Sequence, residues 1–155
     1  MRALVEYTTF RPSSRSLGSL AAFVSQHAPF TQYEFGPVMK TLLYQLEHCT
    51  HCVAMARDPV TGELNQMVSY VGWVRTTDEV AREWLENEGR LTMSPGKHDA
   101  IAVTILATDD PASVMGLIRH AKRMNVGKSV YWKRYFIDGR APRSRKVVKK
   151  GEAGS

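Results

Sequence analysis

The sequence has few residues that could crosslink the chain or hold a metal. Its only cysteines, Cys49 and Cys52, lie in the segment His48-Cys-Thr-His-Cys52, and no second ligand pair follows at the spacing of a structural zinc site. Val53 stands where a haem-attachment motif needs histidine. A redox Cys-x-x-Cys pair usually opens a helix, whereas this pair closes one. We therefore predict packed thiols and no metal site.

Long apolar runs and the familiar catalytic motifs are also missing. No stretch approaches the roughly 18 apolar residues of a membrane span, and residues 1–7 lack the apolar middle of a signal peptide, so we expect a cytoplasmic protein. The sequence contains no Walker loop, no Gly-x-Ser-x-Gly elbow and no His-Glu-x-x-His motif. The 155 residues fit one domain, which we place at 1–150, with a disordered tail at 151–155.

Positive charge is concentrated at the C-terminal end of the chain. From Arg119 onward there are twelve Lys or Arg and two acids, a net charge of +10, whereas the residues before it carry −4. A surface of this kind attracts polyanions such as nucleic acid or an acidic carrier protein.

Hydrophobic periodicity predicts an α+β fold with a mixed sheet and helices on its faces. Helical spacing covers 16–27, with the pair Ser13-Ser14 available as a cap, and a second helix ends near His48. Thr76-x-x-Glu79 predicts a capping box, and Asp110-Pro111 predicts the start of another helix. Two helices precede the first predicted strand, and the predicted strands are 52–56, 67–74, 100–107, 129–136 and 143–149.

His27 is the first candidate for chemistry, because it lies at the end of a predicted helix beside Pro29 and Phe30. An imidazole can take a proton from an amine or a hydroxyl when a carboxylate or carbonyl fixes its tautomer. The alternative is a helix-terminal histidine that interacts with the helix dipole. Both interpretations stay open from the sequence.

The order of these elements resembles the toxin-activating lysine acyltransferases of the haemolysin-activator type, which have a GNAT-like fold. That family has a histidine-and-proline segment before a helix, then a strand ending in Arg-Asp, then a strand with a tryptophan. Here the corresponding features are His27, Ala54-Met-Ala-Arg-Asp58 and Tyr70-Val-Gly-Trp73. Ile105-Leu-Ala-Thr-Asp-Asp110 and the basic segment Lys128 to Val147 are similar to later parts of the family.

The resemblance implies transfer of an acyl group from acyl carrier protein or acyl-coenzyme A to the lysine of a target protein, with no bound cofactor. It makes His27 the catalytic histidine, which either activates the substrate lysine or accepts the acyl group from the carrier protein. The family's catalytic aspartate lies in the central strand, where this sequence has Val103. Asp99, Asp109 and Asp110 are neighbours in sequence only. We expect four further residues to bind substrate or donor: Trp73, Arg119, Lys122 and Arg123.

The turn after the central strand bears on the choice of donor. GNAT enzymes that use acetyl-coenzyme A have a glycine-rich turn here, whose amides hold the pyrophosphate. This sequence has Thr108-Asp-Asp-Pro111, and two carboxylates at a helix N-terminus repel a pyrophosphate. An acidic carrier protein docking on the basic surface would avoid this repulsion.

A second hypothesis makes the chain a non-catalytic GNAT-fold protein, associated with nucleic acid or with a phage particle. The run Tyr131-Trp-Lys-Arg-Tyr-Phe136 suits stacking on bases, although a strand would turn one set of these rings into the core. A solvated basic edge is a third interpretation. A homodimer is left open. The predicted polyanion-binding residues are Lys133, Arg140, Arg143, Arg145 and Lys146.

Overall fold

The computed structural model describes residues 4–87, 89–92, 96–134 and 143–148. Within these ranges the chain forms six strands and four α-helices, which confirms the predicted α+β class. In chain order they are β1 Val5–Thr8, α1 Ser14–Val24, α2 Phe35–Glu47, β2 His51–Arg57, β3 Leu64–Thr76, α3 Asp78–Asn87, β4 Ala100–Thr108, α4 Val114–Met124, β5 Ser129–Arg134 and β6 Arg143–Val148.

The six strands form one mixed sheet in the order β1-β2-β3-β4-β5-β6. β1 pairs antiparallel with β2, β2 with β3, and β5 with β6, whereas β4 and β5 are parallel. The parallel register joins Ala100–Val103 to Ser129–Trp132, and β4 then continues to Thr108. The predicted hairpin of β2 and β3 and the predicted central strand are therefore present.

The chain divides into two compact units, and β3, β4 and α4 contribute residues to both. The first unit comprises Met1–Gly72 and Ile105–Ala121, and the second comprises Trp73–Thr104 and Lys122–Ser155. In the first unit α1 and α2 bury their apolar residues against β2, β3 and β4. Burial of a large aliphatic side chain is worth about 1.5–3 kcal/mol. The buried cluster is Leu20, Val24, Phe30, Leu42, Leu46, Val53, Tyr70, Ile105 and Ala107.

The second unit has a smaller core, in which α3 packs on β4 and β5. Ala81, Ala100 and Tyr131 are buried there, and Trp84 and Leu85 of α3 pack against them. The Tyr131 hydroxyl donates a hydrogen bond to the Asp78 carboxylate. This bond ties the first turn of α3 to β5.

Local capping explains where two of the helices begin. The Ser13 hydroxyl accepts a hydrogen bond from the Ser16 amide at 2.9 Å, so the predicted cap of α1 is confirmed. The predicted capping box at Thr76 is wrong, because the Thr76 hydroxyl donates to the Thr92 carbonyl instead. The Thr77 hydroxyl accepts from the Val80 amide, so α3 begins one residue later than the pattern indicated.

Strand β1 was missed by the sequence pattern, which placed two helices before any strand. It has only four residues, and its position depends on antiparallel pairing with β2. Tyr7 of β1 also reaches the residue that precedes α4, where its hydroxyl donates to the Ser113 carbonyl at 3.2 Å. A Cβ at Gly116 would lie 2.0 Å from that hydroxyl, so only glycine leaves room for Tyr7.

The described helices include none with the length and apolar character that crossing a membrane requires. The last two residues of the predicted strand 129–136 and the predicted tail at 151–155 lie outside the described residues.

Candidate functional site

His27 lies just beyond the end of α1, and both nitrogens of its ring face oxygen atoms. Nδ1 is 2.7 Å from the Phe23 carbonyl oxygen, and Nε2 is 2.6 Å from Asp109 Oδ1. Asp109 follows the last residue of β4 and is 82 positions away in sequence. The ring also packs on Phe23, with a centroid distance of 4.5 Å. Helix α1 and strand β4 thus bring a histidine and an aspartate into direct contact.

The positions of these oxygens restrict where protons can lie. A carbonyl oxygen only accepts, so Nδ1 of His27 carries a proton. The short contact to Asp109 then requires a second proton, either on Nε2 as an imidazolium facing a carboxylate or on the carboxyl group itself. In this arrangement Nε2 has no lone pair available to a substrate. Asp109 therefore covers the nitrogen that a general base would use.

The two partners differ in their access to solvent. The Asp109 side chain is 61% exposed, whereas the His27 side chain is 14% exposed. An incoming cationic group would meet the aspartate first, with the imidazole behind it. Because an exposed side chain can change rotamer easily, Asp109 can swing away from Nε2 without disturbing the core.

The β4–α4 loop (residues 109–113) has no backbone amide left for a phosphate. The Asp109 amide donates to the Val68 carbonyl at 2.8 Å, and the Asp110 amide donates to the Thr108 hydroxyl at 3.0 Å. Pro111 has no N–H group. The two remaining amides, of Ala112 and Ser113, donate to the side chain and the carbonyl of Asp110.

Buried hydroxyl groups fix the β4–α4 loop in this conformation. Ser69 Oγ lies 2.6 Å from Thr108 Oγ1 and 2.5 Å from Ser113 Oγ, and both serines are buried. The Ser113 hydroxyl also donates to the Asp110 carbonyl at 2.7 Å. Releasing the amides of the loop would therefore break a connected set of hydrogen bonds. The predicted repulsion of a pyrophosphate has a structural counterpart, because the loop also lacks free donors.

The other predicted site residues are distributed over both units. Trp73 is fully buried, and its indole N–H has no hydrogen-bond partner among the described residues. On α4, Arg119 and Arg123 are exposed and Lys122 is half-buried. Lys133 lies on β5, and three of the predicted polyanion-binding residues lie on β6, but only the backbone of these positions is described; Arg140 lies outside the described residues. The three on β6 are Arg143, Arg145 and Lys146.

Sequence reasoning gave Asp109 no role, because no motif joins it to His27. The available signal was its position, since it directly follows an apolar central strand. Side chains at strand ends commonly line functional sites in sheets covered by helices. Which side chain contacts Asp109 depends on tertiary packing, and a single sequence contains no direct information about it.

The segment His48-Cys-Thr-His-Cys52 has no side-chain cluster of the kind that its composition suggests. The described residues contain no group of three or more candidate ligands. Cys52 is buried, as predicted, whereas Cys49 is exposed and so is not a packed thiol. His51 is fully buried: its Nε2 accepts from the Phe10 amide at 2.9 Å and its Nδ1–H donates to the Gln45 carbonyl at 3.0 Å. Both nitrogens are therefore committed to the fold.

His51 predicts a loss of stability in mild acid. Burial lowers the pKa of His51 below 6.5, although the hydrogen bond to Gln45 opposes this shift. The unfolded chain therefore binds a proton before the folded chain does, and the free energy of unfolding falls as pH drops below about 6.5. The fall approaches 1.4 kcal/mol per pH unit until the folded pKa is reached. Urea unfolding between pH 7.5 and pH 5 measures it.

The control for this prediction is His48→Gln, because His48 is exposed. This variant should keep the acid-dependent fall, whereas His51→Gln should show a shallower one over the same range. Equal pH dependence of all three proteins would contradict a neutral, buried His51.

Comparisons with known proteins identify the fold. No protein-family model and no curated protein sequence matches the chain. Among solved structures, a GNAT-family acetyltransferase from Streptococcus agalactiae matches with a TM-score of 0.57 at 8% identity, covering 84% of this chain and 76% of that one. The GNAT-like decarboxylase GphF, in complex with isobutyryl-CoA, matches with a TM-score of 0.56 at 16% identity, covering 85% and 67%.

NAA60 from Arabidopsis thaliana, in complex with acetyl-CoA, matches with a TM-score of 0.53 at 15% identity, covering 84% of this chain and 75% of that one. These similar structures include an acetyltransferase and a decarboxylase, so the likeness concerns architecture and does not decide the chemistry of the site. The chain has a GNAT-like fold, with a His27–Asp109 contact at the end of its central strand β4.

Proposed function

We propose that this protein transfers an acyl group from a pantetheine thioester to the side-chain amine of a protein lysine, with His27 as the base and Asp109 as the binding site for the lysine ammonium. The 2.6 Å contact between His27 Nε2 and Asp109 Oδ1 carries the proposal. The GNAT-like fold of the chain supports it.

The reaction needs one base and one leaving group. The lysine amine attacks the thioester carbonyl carbon, so a C–N bond forms and the C–S bond breaks. The products are an amide and a thiol. The lysine enters as an ammonium and must lose one proton before it attacks, and the amide nitrogen loses a second, which protonates the thiolate. His27 takes the first of these protons.

Asp109 controls when His27 can act. A lysine ammonium that approaches the exposed carboxylate forms a charge-assisted pair with it. Asp109 then turns away from Nε2 toward the substrate as a carboxylate, and the second proton of the His27–Asp109 pair passes to solvent. With Nδ1–H still held by the Phe23 carbonyl, a neutral His27 presents the Nε2 lone pair to the amine. The base is thereby exposed when the acceptor is bound.

We infer that the donor is an acyl carrier protein rather than free acyl-coenzyme A. The amides of the β4–α4 loop are all used or absent, and both Asp109 and Asp110 repel a pyrophosphate. A carrier protein presents the same pantetheine arm without that group. β4 extends past the last residue of its register with β5, and a strand edge can bind the amides of an extended arm. The positive charge of α4 and of the C-terminal sequence matches an acidic carrier.

The test is an acylation assay with a lysine-bearing peptide and two donors of the same acyl chain, one on acyl carrier protein and one on coenzyme A. Mass spectrometry should show a mass increase on the peptide lysine that is at least tenfold faster with the carrier donor. A preference for the coenzyme A donor would contradict the inference about the β4–α4 loop.

A second candidate is a non-catalytic GNAT-fold protein that binds nucleic acid through its C-terminal basic segment. The absence of amide donors in the β4–α4 loop favours it, because the loop would not hold coenzyme A. This second candidate predicts that the acylation assay shows no acyl transfer to the peptide lysine from either donor. It also predicts DNA binding that weakens steeply with salt and is lost when the cations between Arg143 and Lys150 are neutralised.

A further inference from the structure

The backbone of Asp110 is held on both sides by side-chain hydroxyl groups. Its amide donates to Thr108 Oγ1 at 3.0 Å, and its carbonyl accepts from the Ser113 hydroxyl at 2.7 Å. Ser69 Oγ of β3 joins those two hydroxyls, because it lies 2.6 Å from Thr108 Oγ1 and 2.5 Å from Ser113 Oγ. The hydrogen bonds therefore close a ring through Asp110, Thr108, Ser69 and Ser113, which we call the hydroxyl circuit.

Each hydroxyl in the circuit has one proton to donate, and this fixes the direction of its hydrogen bonds. Ser113 donates to the Asp110 carbonyl, so its oxygen accepts from Ser69. Ser69 has then used its proton and accepts from Thr108, whose alternative acceptor, the Val68 carbonyl, is farther away at 3.5 Å. Every donor in the circuit thus has one acceptor, and Ser69 is the link between Thr108 and Ser113.

The centre of the circuit is buried. Ser69 and Ser113 are both buried, and the Ser113 carbonyl accepts from the Tyr7 hydroxyl at 3.2 Å. A buried hydroxyl that loses its partner lies away from bulk water, so it either stays unpaired at a cost or moves to another acceptor. Loss of one member therefore changes the hydrogen bonds of the whole loop.

Asp109 lies between two members of the circuit, Thr108 and Asp110. Its own amide donates to the Val68 carbonyl at 2.8 Å, so β3 holds this part of the loop through two successive residues, Val68 and Ser69. The Asp109 side chain is mostly exposed. Because packing does little to hold an exposed side chain, its direction depends on the backbone that carries it.

We propose that Ser69 is a positioning residue, which aims the Asp109 carboxylate at Nε2 of His27 by way of the hydroxyl circuit. The inference rests on the proposed function, in which Asp109 binds the lysine ammonium. The Ser69 hydroxyl bonds to Thr108 and Ser113, so it acts on Asp109 through the loop. A serine with a purely structural role would stabilise the fold without changing the direction of the Asp109 side chain.

Two variants break the circuit, and a third serves as the control. Ser69→Ala removes the central hydroxyl, and Thr108→Val removes the acceptor of the Asp110 amide with little change of shape. Thr50→Val removes a buried hydroxyl of the same unit that has no hydrogen-bond partner among the described residues. Circular dichroism checks the fold of each protein, and Thr108→Val carries the test if Ser69→Ala does not fold.

Nuclear magnetic resonance measures the direction of Asp109 without an acyl donor. The three-bond couplings between Hα and Hβ of Asp109 should indicate one rotamer in the wild type and in Thr50→Val, and an average of rotamers in both circuit variants. Exchange of the Asp110 amide with solvent should become about 2- to 10-fold faster in the circuit variants, as expected for one lost hydrogen bond. Failure of the proposed acyl transfer would leave this measurement unaffected.

Acylation of the lysine peptide from the acyl-carrier donor gives the second readout. In Ser69→Ala, KM for the peptide should rise about 3- to 10-fold with kcat nearly unchanged, because the carboxylate that meets the ammonium is no longer held in place. In an Asp109→Asn background the same change should have no further effect on KM, since the group that Ser69 positions is already neutral.

Three results would count against the positioning role. A single Asp109 rotamer in both folded circuit variants would overturn it. A rise in KM that multiplies with that of Asp109→Asn would also overturn it, because Ser69 would then act on another group. Equal changes in Thr50→Val would refute it as well, since removal of any buried hydroxyl would then produce the effect.

Discussion

Replacing His27 with alanine is expected to lower the rate of lysine acylation about 10²- to 10⁴-fold, which is the usual contribution of a positioned general base. The reason is the loss of Nε2, the nitrogen that Asp109 covers at 2.6 Å. The measurement is kcat/KM for a lysine peptide with an acyl-carrier donor. His98→Ala is the control, since within the described residues the His98 ring makes a 3.3 Å contact with the Gly96 carbonyl and none with His27 or Asp109.

Asp109→Asn separates the role of the aspartate from that of the histidine. The amide has nearly the same shape but lacks the charge that attracts the lysine ammonium. A hydrogen bond to a charged group is worth about 1.5–3 kcal/mol, so kcat/KM should fall about 10- to 100-fold, mainly through a higher KM. Glu63→Gln removes an exposed carboxylate from the same unit and should leave kcat/KM unchanged.

Circular dichroism of each variant separates loss of chemistry from loss of fold. Undiminished acyl transfer by a folded His27→Ala protein would remove the base from the mechanism. If Asp109→Asn lowered kcat and left KM unchanged, the aspartate would orient His27 rather than bind the lysine. That result would contradict the proposed approach of the ammonium to Asp109.

Elements with a strong apolar pattern were predictable from the sequence, whereas those that depend on a distant partner were not. β4 is almost wholly apolar and was placed within one residue of its observed end. β1 has the sequence Val-Glu-Tyr-Thr, which carries no distinctive period, and it exists because β2 supplies its hydrogen bonds. Four residues are too few for periodicity to decide between strand and coil.

The same distinction applies to the candidate site: its residues were recognisable in the sequence, but their contacts were not. His27 was identifiable as a histidine at a helix terminus, and the acidic turn before α4 was visible as Thr108-Asp-Asp-Pro111. Their contact was not, because it depends on how α1 packs on the sheet. The use of every amide in the β4–α4 loop was equally hidden, since the acceptors include the Val68 carbonyl, a group far away in sequence. Sequence gives the residues of the loop, but their hydrogen bonds require the fold.

A buried polar cluster in the first unit leads to the largest expected change in stability. Gln45 of α2 is wholly buried, and the Tyr70 hydroxyl donates to its Oε1 at 2.5 Å. Burial raises the pKa of Tyr70 well above 10, so its hydroxyl keeps the proton that it donates. A Cβ at Gly72 would lie 1.9 Å from Gln45 Oε1 and 2.3 Å from its Cδ. The Gln45 side chain occupies the space where any residue other than glycine at position 72 would place its Cβ.

Gly72→Ala should therefore lower the free energy of unfolding by about 2–5 kcal/mol. Overpacking a core costs about 1–3 kcal/mol, and a buried polar group that loses its partner costs a similar amount. Urea denaturation gives the value. The matched control is Gly18→Ala, because the position is inside α1 and open to solvent. That change should raise the free energy of unfolding by about 0.5–1 kcal/mol.

The double variant Gly72→Ala/Gln45→Ala tests the cause directly. If the methyl group of the alanine collides with the glutamine amide, shortening residue 45 removes the collision. The double variant should then be less destabilised than the sum of the two single variants, by about 1–3 kcal/mol. Additive losses would mean that Gly72→Ala acts through the β3 backbone and not through Gln45. A cost below about 1 kcal/mol for Gly72→Ala alone would mean that Gln45 does not fill this position.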